Sequence, residues 1–227
     1  MAMLESELRR RLPDTEWHCL VRPIFYGPRM AELAGRHCAD LQPKVVYLSL
    51  LGNAFTDPVP IAAIRRRWPS FYPRARQLAE LLKSAAGGHS IGGPRGAVYR
   101  LPRWLAARVA GAEPEVDLAD AVRWSTETLS VLARYEDAQI ICGFSSFTPP
   151  KNRFAKRVEA ARNDFRRQLR GVCEAHHIAF FDRPVELAKA GLPDVRALDE
   201  AYAGLGTRRF EAEQLAGIIS RERGRTS

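Results

Sequence analysis

Two short apolar runs constrain this chain more than any other feature. Residues 44–51 read KVVYLSLL and break at Gly52-Asn53; residues 138–144 read AQIICGF and break at Ser145-Ser146. Each run is too short for a typical helix and carries no charge in its interior. Rich in β-branched and aromatic residues and bounded by turn formers, they read as strands buried on both faces. Such continuous, non-alternating runs belong to parallel sheets covered by helices on both sides.

The segments between them supply the helices. Leu4, Leu8 and Leu12 recur every four residues, and Pro13-Asp14 closes that helix. Met30, Leu33, Ala34 and Leu41 mark a second helix ending at Pro43. Tyr72 to Leu82, Leu118 to Leu132, Phe154 to Val172 and Phe210 to Ile219 keep the same helical period. Two further strands are expected, at 17–25 and 178–182, although Pro23 confines the first to an edge or a bulge. A short helix is expected at 187–190, and a Pro-punctuated loop at 57–60. Strands alternating with helices predict an α/β fold: one domain over 1–227, a parallel sheet, right-handed crossovers and three layers.

Composition narrows the setting. No stretch of 18 apolar residues is present, so no transmembrane segment is expected. The first residues, MAMLESELRRRL, lack the apolar core of a signal peptide. Cys19, Cys38, Cys142 and Cys173 are scattered in apolar contexts without metal spacing, which suits reduced thiols in a cytoplasmic protein. The net charge is +9, and thirty of the 35 basic residues are arginine. Arginine forks bind oxyanions, but here they are spread over many helices rather than focused. A solvated basic surface is the favoured reading over a nucleic-acid interface.

Chemistry in such a sheet gathers beyond the carboxyl ends of the strands. Asn53 stands there, offering an amide donor. Ser145 and Ser146 stand there too, but Gly143-Phe144-Ser145-Ser146-Phe147 lacks the second glycine of a nucleophile elbow, and turn or cap roles are preferred. His18, His37, His176 and His177 belong to the opposite rim; only His89, in the glycine-rich stretch 87–96, could reach the site, and an exposed loop histidine is the preferred reading. That stretch fits neither a dinucleotide nor a P-loop spacing. Residues 97–116 interleave Leu101, Trp104, Leu105 and Val109 with Arg100, Arg103 and Arg108. With their neighbours they form an insertion, at about 85–116, that could touch a membrane surface or cover the pocket as a lid; packing on the body with its arginines in water is preferred.

Taken in order, these residues resemble the SGNH hydrolases, or GDSL esterases. Tyr26-Gly27, before a helix carrying Ala31-Glu32-Leu33, resembles the family's second block, whose glycine gives an oxyanion-hole N–H. Leu51-Gly52-Asn53 resembles the third, G-x-N-D, with one residue fewer and Ala54-Phe55 following where aspartate would stand. Leu198 to Gly206 resembles the last block, D-x-x-H, with Asp199 on the aspartate and Tyr202 on the histidine. The resemblance implies hydrolysis of a small ester or acyl group through a serine acyl-enzyme, without cofactor or metal. Gly27, Gly52 and Asn53 would line the oxyanion side, with Asp199 as the orienting carboxylate.

Two departures follow. The G-D-S block and its strand are missing, and Tyr202 replaces the base; a phenol of pKa about 10 is a poor one. The chain as written is expected to be inactive. Because the family's first strand lies inside its sheet, the expectation is a chain that starts late. The rival is degeneration, with 17–25 and 44–51 pairing directly or a partner chain filling the gap. Functionally, the alternatives are a non-catalytic binding module using the same pocket and an Arg-rich binder of anionic surfaces. Homo-oligomerisation stays open.

Overall fold

The computed structural model describes residues 2–51, 60–85, 108, 109, 114, 116–145, 155–192 and 205–223. Three parallel strands form an open sheet in the order β1-β2-β3: β1 (Val45–Leu51), β2 (Gln139–Ser145) and β3 (Ala179–Asp182). Val45 faces Gln139 and Leu51 faces Ser145; Ile141 faces Ala179 and Phe144 faces Asp182. The order follows the chain, as expected when each strand is joined to the next by a helical crossover.

Eight helices are described: α1 (Ala2–Arg11), α2 (Met30–Leu41), α3 (Pro60–Arg67), α4 (Tyr72–Ala85), α5 (Leu118–Leu132), α6 (Ala155–Ala175), α7 (Arg183–Lys189) and α8 (Leu205–Arg223). Their starts and stops have local causes. Gln42 adopts a left-handed conformation (φ 43°) and returns its N–H to Cys38 O at 2.9 Å; Pro43 then disfavours further helix, so α2 ends there. The helix α3, where the spacing predicts a loop and an arginine run, opens with Pro60 in its first turn and stops before Trp68-Pro69. Proline is tolerated at that first position because no intrahelical N–H is needed there.

Strand alternation sorts the core into two layers. Leu48, Leu50, Ile140, Cys142 and Phe144 pack with Met30, Ala34 and Cys38 of α2, Leu129 and Leu132 of α5, and Phe165, Leu169 and Cys173 of α6. On the other face, Ile141 and Phe181 pack with Leu8 of α1 and Leu215, Ala216 and Ile219 of α8. Helices therefore cover both faces of the sheet. Tyr135 Oη donates to Gly35 O at 2.8 Å, tying the end of α5 to α2.

The segment 17–25 is not a strand, and this corrects the expectation. Nor does it pair with β1 among the described residues. Trp17 and Cys19 belong to the α1/α8 layer, whereas Ile24 and Tyr26 belong to the α2/α5/α6 layer. The Cys19 N–H is donated to Glu5 Oε1 at 2.9 Å rather than to a sheet neighbour. Leu20, Val21 and Phe25 are exposed. The segment has strand composition without a strand beside it, and composition alone does not make a ladder.

Gly143, inside β2, has a packing cause. The Tyr47 ring lies across it from β1, and a Cβ at 143 would overlap that ring. A glycine inside a strand commonly marks such a close approach. Gly143→Ala is expected to cost about 1–3 kcal/mol through overpacking, read as a lower urea midpoint. Adding Tyr47→Ala should recover most of the loss.

Candidate functional site

The carboxyl end of β3 carries two consecutive charges, Asp182 and Arg183, and alternation sends them to opposite sides. Asp182 turns toward α6. Its Oδ2 accepts from Arg166 Nε at 2.9 Å and from Arg170 Nη2 at 3.3 Å, with the carboxylate side chain only 5% exposed. Its Oδ1 is buried without a hydrogen-bond partner. Arg183 turns toward α8 and ion-pairs with Glu211. Both residues of the doublet are buried.

On the α8 side, alternation brings Tyr47, Ser49, Gly143 and Ser145 onto one surface. Continuing the β2–β3 register by one step sets Ser145 opposite Arg183. Desolvation of its hydroxyl, then the Glu211 charge, pushes the Tyr47 phenol up to about 12 against a Ser49 hydrogen bond and Arg183, although the residue as a whole is 37% exposed. Thr207, one turn before Glu211 on α8, is buried. The rim thus gathers hydroxyls around one arginine–glutamate pair. That arrangement would hold a polar or anionic group by hydrogen bonding and charge.

A nucleophile–base pair is not present among the described residues at this rim. Ser145 is half-buried, and no hydrogen bond joins it to a histidine among them. His176 and His177 precede β3 at the amino end; His176 Nε2 meets Ser130 Oγ at 3.1 Å. His18 meets Glu16 at 3.3 Å on the surface. Cys142 is no substitute: its hydrogen bond with Cys173 and its burial push the thiol well up, and thiols with raised pKa are poor nucleophiles. Among the described residues, no group of three His, Cys, Asp or Glu could hold a metal ion. No helix there is long and apolar enough to cross a membrane.

Of the residues expected from the sequence, Gly27 and Ser145 are described. Gly27 opens α2, its O accepting from Met30 N at 3.0 Å, and the space where its side chain would be is open. Gly52, Asn53, Ser146, Asp199 and Tyr202 lie outside the described residues. So does most of the lid-like stretch at about 85–116, and His89 with it. Tyr47, Asp182, Arg183 and Glu211 were not singled out as site residues from the sequence. The charged doublet directly after the run IAFF was the available signal. Two grooves, of about 690 and 430 Å³, run along β3, and the smaller one reaches the rim at Asp182 and Arg170. Their shared residues Phe180 and Glu186 place them beside an open strand edge.

The elevated phenol gives a titration test. Tyr47 is expected to ionise near pH 12, against 10.0 for an unburied phenol. The fold favours the neutral form, so this contribution to stability is intact below pH 10 and is lost as pH rises from 10 toward 12. Following tyrosinate absorbance, Tyr47→Phe should remove one late-ionising phenol from the curve and leave in place that of Tyr26, which burial raises further still. Loss of only an early-ionising component would refute the assignment.

The fold and this rim define the class of the molecule: an α/β protein with an open parallel sheet and a polar cluster at the carboxyl ends of its strands. No protein-family model, curated protein or solved structure matches the chain.

Proposed function

We propose that the chain is a domain of the SGNH-hydrolase type, with a flavodoxin-like α/β/α sandwich, whose site is shaped for a small ester or acyl group. The observation that carries this reading is positional. In sequence, Gly27 comes just before α2, Gly52-Asn53 follows β1, and Asp199 and Tyr202 come before α8. The blocks that resemble the family thus keep the family's order along the chain. Gly27 and Asn53 would stabilise an oxyanion, the largest single contribution in many acyl transfers.

Among the described residues no serine is hydrogen-bonded to a histidine at this rim, so the attacking half of the chemistry is not found there. Ser145 and Ser146 have no histidine in the expected place, so the chain is proposed to bind rather than turn over its ligand. Incubation with p-nitrophenyl acetate should give no hydrolysis above background, and a fluorophosphonate probe should leave Ser145 and Ser146 unlabelled. Turnover with labelling at either serine would overturn the silent site. Titrating the isotope-labelled protein with a small acyl phosphonate should shift the amide resonances of Gly27 and Asn53. Unmoved resonances at millimolar ligand would remove the ester-binding reading.

A further inference from the structure

The helices α3 and α4 form a hairpin with a small core of its own. Ala63, Ile64 and Ala75 are buried together, in a cluster separate from both layers of the sheet. Trp68 N donates to Ile64 O at 2.8 Å and Tyr72 N to Trp68 O at 3.1 Å, so α4 follows α3 after a tight turn. Arg66 Nη2 meets Asp117 Oδ1 at 2.8 Å, which ties α3 to the residue before α5.

Large apolar side chains remain outside that core. Trp68 is 44% exposed, Phe71 52%, Leu78 57% and Leu81 67%. Phe71 O accepts from Ala75 N at 3.1 Å, which carries the helical path of α4 back to Phe71. Phe71, Leu78 and Leu81 are then spaced by seven and three residues and share one side of the helix. That side lies next to the one on which Ala75 is buried. One exposed leucine needs no explanation, but four large apolar residues on one short hairpin mark an interaction surface.

The same hairpin concentrates positive charge. Residues 60–85 hold six cations, Arg65, Arg66, Arg67, Arg74, Arg76 and Lys83, against one acid, Glu80, a net +5 of the chain's +9. Arg74 and Arg76 are exposed, and neither makes an ion pair among the described residues. Arg74 falls within the apolar stripe, between Phe71 and Leu78. Apolar surface and charge together select the partner. A second copy would set +5 against +5, which repels. A nucleic acid would accept the arginines but would leave Leu78 and Leu81 unused, because its backbone is held by charge and hydrogen bonds. An anionic lipid surface accepts both. Its headgroups meet the arginines, its acyl boundary takes leucine and phenylalanine, and tryptophan settles at the level between.

We propose that the α3–α4 hairpin is a docking surface for an anionic lipid bilayer. Trp68, Phe71, Leu78 and Leu81 enter the boundary between headgroups and acyl chains, and Arg74 and Arg76 pair with the headgroups. The contact is peripheral, since no described helix is long and apolar enough to cross a membrane. The inference rests on the exposure and charge of residues 60–85, not on the hydrolase reading and not on residues 97–116.

The test mixes the 227-residue chain with vesicles of phosphatidylcholine alone and of phosphatidylcholine containing phosphatidylserine. The chain should sediment with the anionic vesicles only, and less so as salt is raised. Arg74→Ala with Arg76→Ala should weaken that binding about 10- to 30-fold, and Leu78→Ser with Leu81→Ser about 10-fold or more. All four side chains are exposed, so the urea midpoint of each double variant should stay unchanged. Brominated lipid should quench part of the tryptophan emission, and Trp68→Phe should abolish that quenching while binding persists. Quenching that survives Trp68→Phe would overturn the proposal, as would equal binding to neutral vesicles. Absence of vesicle binding would overturn it too. Dimerisation lost in the leucine variant would then assign the face to a second copy, and salt-sensitive binding of a DNA duplex that the leucine variant retains would assign it to nucleic acid.

Discussion

Asp182→Ala is expected to destabilise the protein by about 3–5 kcal/mol, lowering the urea midpoint by about 1–2 M. The carboxylate is nearly inaccessible and holds two arginines of α6, Arg166 at 2.9 Å and Arg170 at 3.3 Å. Removing it leaves the quarter-exposed Arg166 guanidinium against the end of a buried strand without its counter-charge. The penalty comes from that stranded charge, not from any large net gain of the intact pair. The double variant Asp182→Leu with Arg166→Met should accordingly recover most of the loss. A contrast within the same helix checks the reasoning. The Arg167–Asp164 pair is also an arginine–carboxylate contact, but its arginine side chain is 81% exposed. Asp164→Ala should cost less than about 1 kcal/mol. Equal effects at the two aspartates would show that burial is not what sets the value of these pairs.

Much of the framework is legible in the sequence because one physical signal dominates it. The runs at 44–51 and 138–144 are uncharged, β-branched and bounded by turns, and they form β1 and β2 within a residue of their expected limits. The long helix carrying Val158, Phe165 and Leu169 repeats its apolar face for five turns, too long to be mistaken for anything else. The segment 17–25 has the same local signal and does not become a strand, since a strand also requires a neighbour to accept its hydrogen bonds. The helix α3 is obscured by its own arginines; among its described side chains, those buried are Ala62, Ala63 and Ile64. Site residues were harder still. Asp182 and Arg183 read as the polar end of a strand, and nothing local says that each meets a charge 12 to 28 positions away. Tyr47 reads as one more apolar residue until the register sets it across Gly143. Pairings of this kind depend on tertiary register, which a periodicity does not carry. Gly52, Asn53, Asp199 and Tyr202 come from a resemblance rather than a periodicity, and they lie outside the described residues.

Phe165→Ala is expected to cost about 3–5 kcal/mol, a large part of the 5–15 kcal/mol typical of a folded domain. Phe165 is fully buried on α6, and its ring centroid lies 5.8 Å from that of Phe144 on β2, the planes tilted by 44°. The lost contact has two parts of unequal size. The aromatic pairing itself contributes about 0.5–1.5 kcal/mol, whereas the emptied volume and lost apolar transfer supply the rest. Phe165→Leu fills most of that volume and should therefore cost much less than the alanine variant, even though it abolishes the ring pair. The thermal midpoint of Phe165→Ala should fall on the order of 10 °C. The consequence reaches the rim. Phe144 immediately precedes Ser145, and Phe165 immediately precedes the Arg166 that holds Asp182. A cavity between them would loosen both the end of β2 and the seat of the Asp182 ion pair. Asp182→Ala should then cost less in the Phe165→Ala background than alone, by about 0.5 kcal/mol or more. Strict additivity of the two would mean that the aromatic seat does not position the charges.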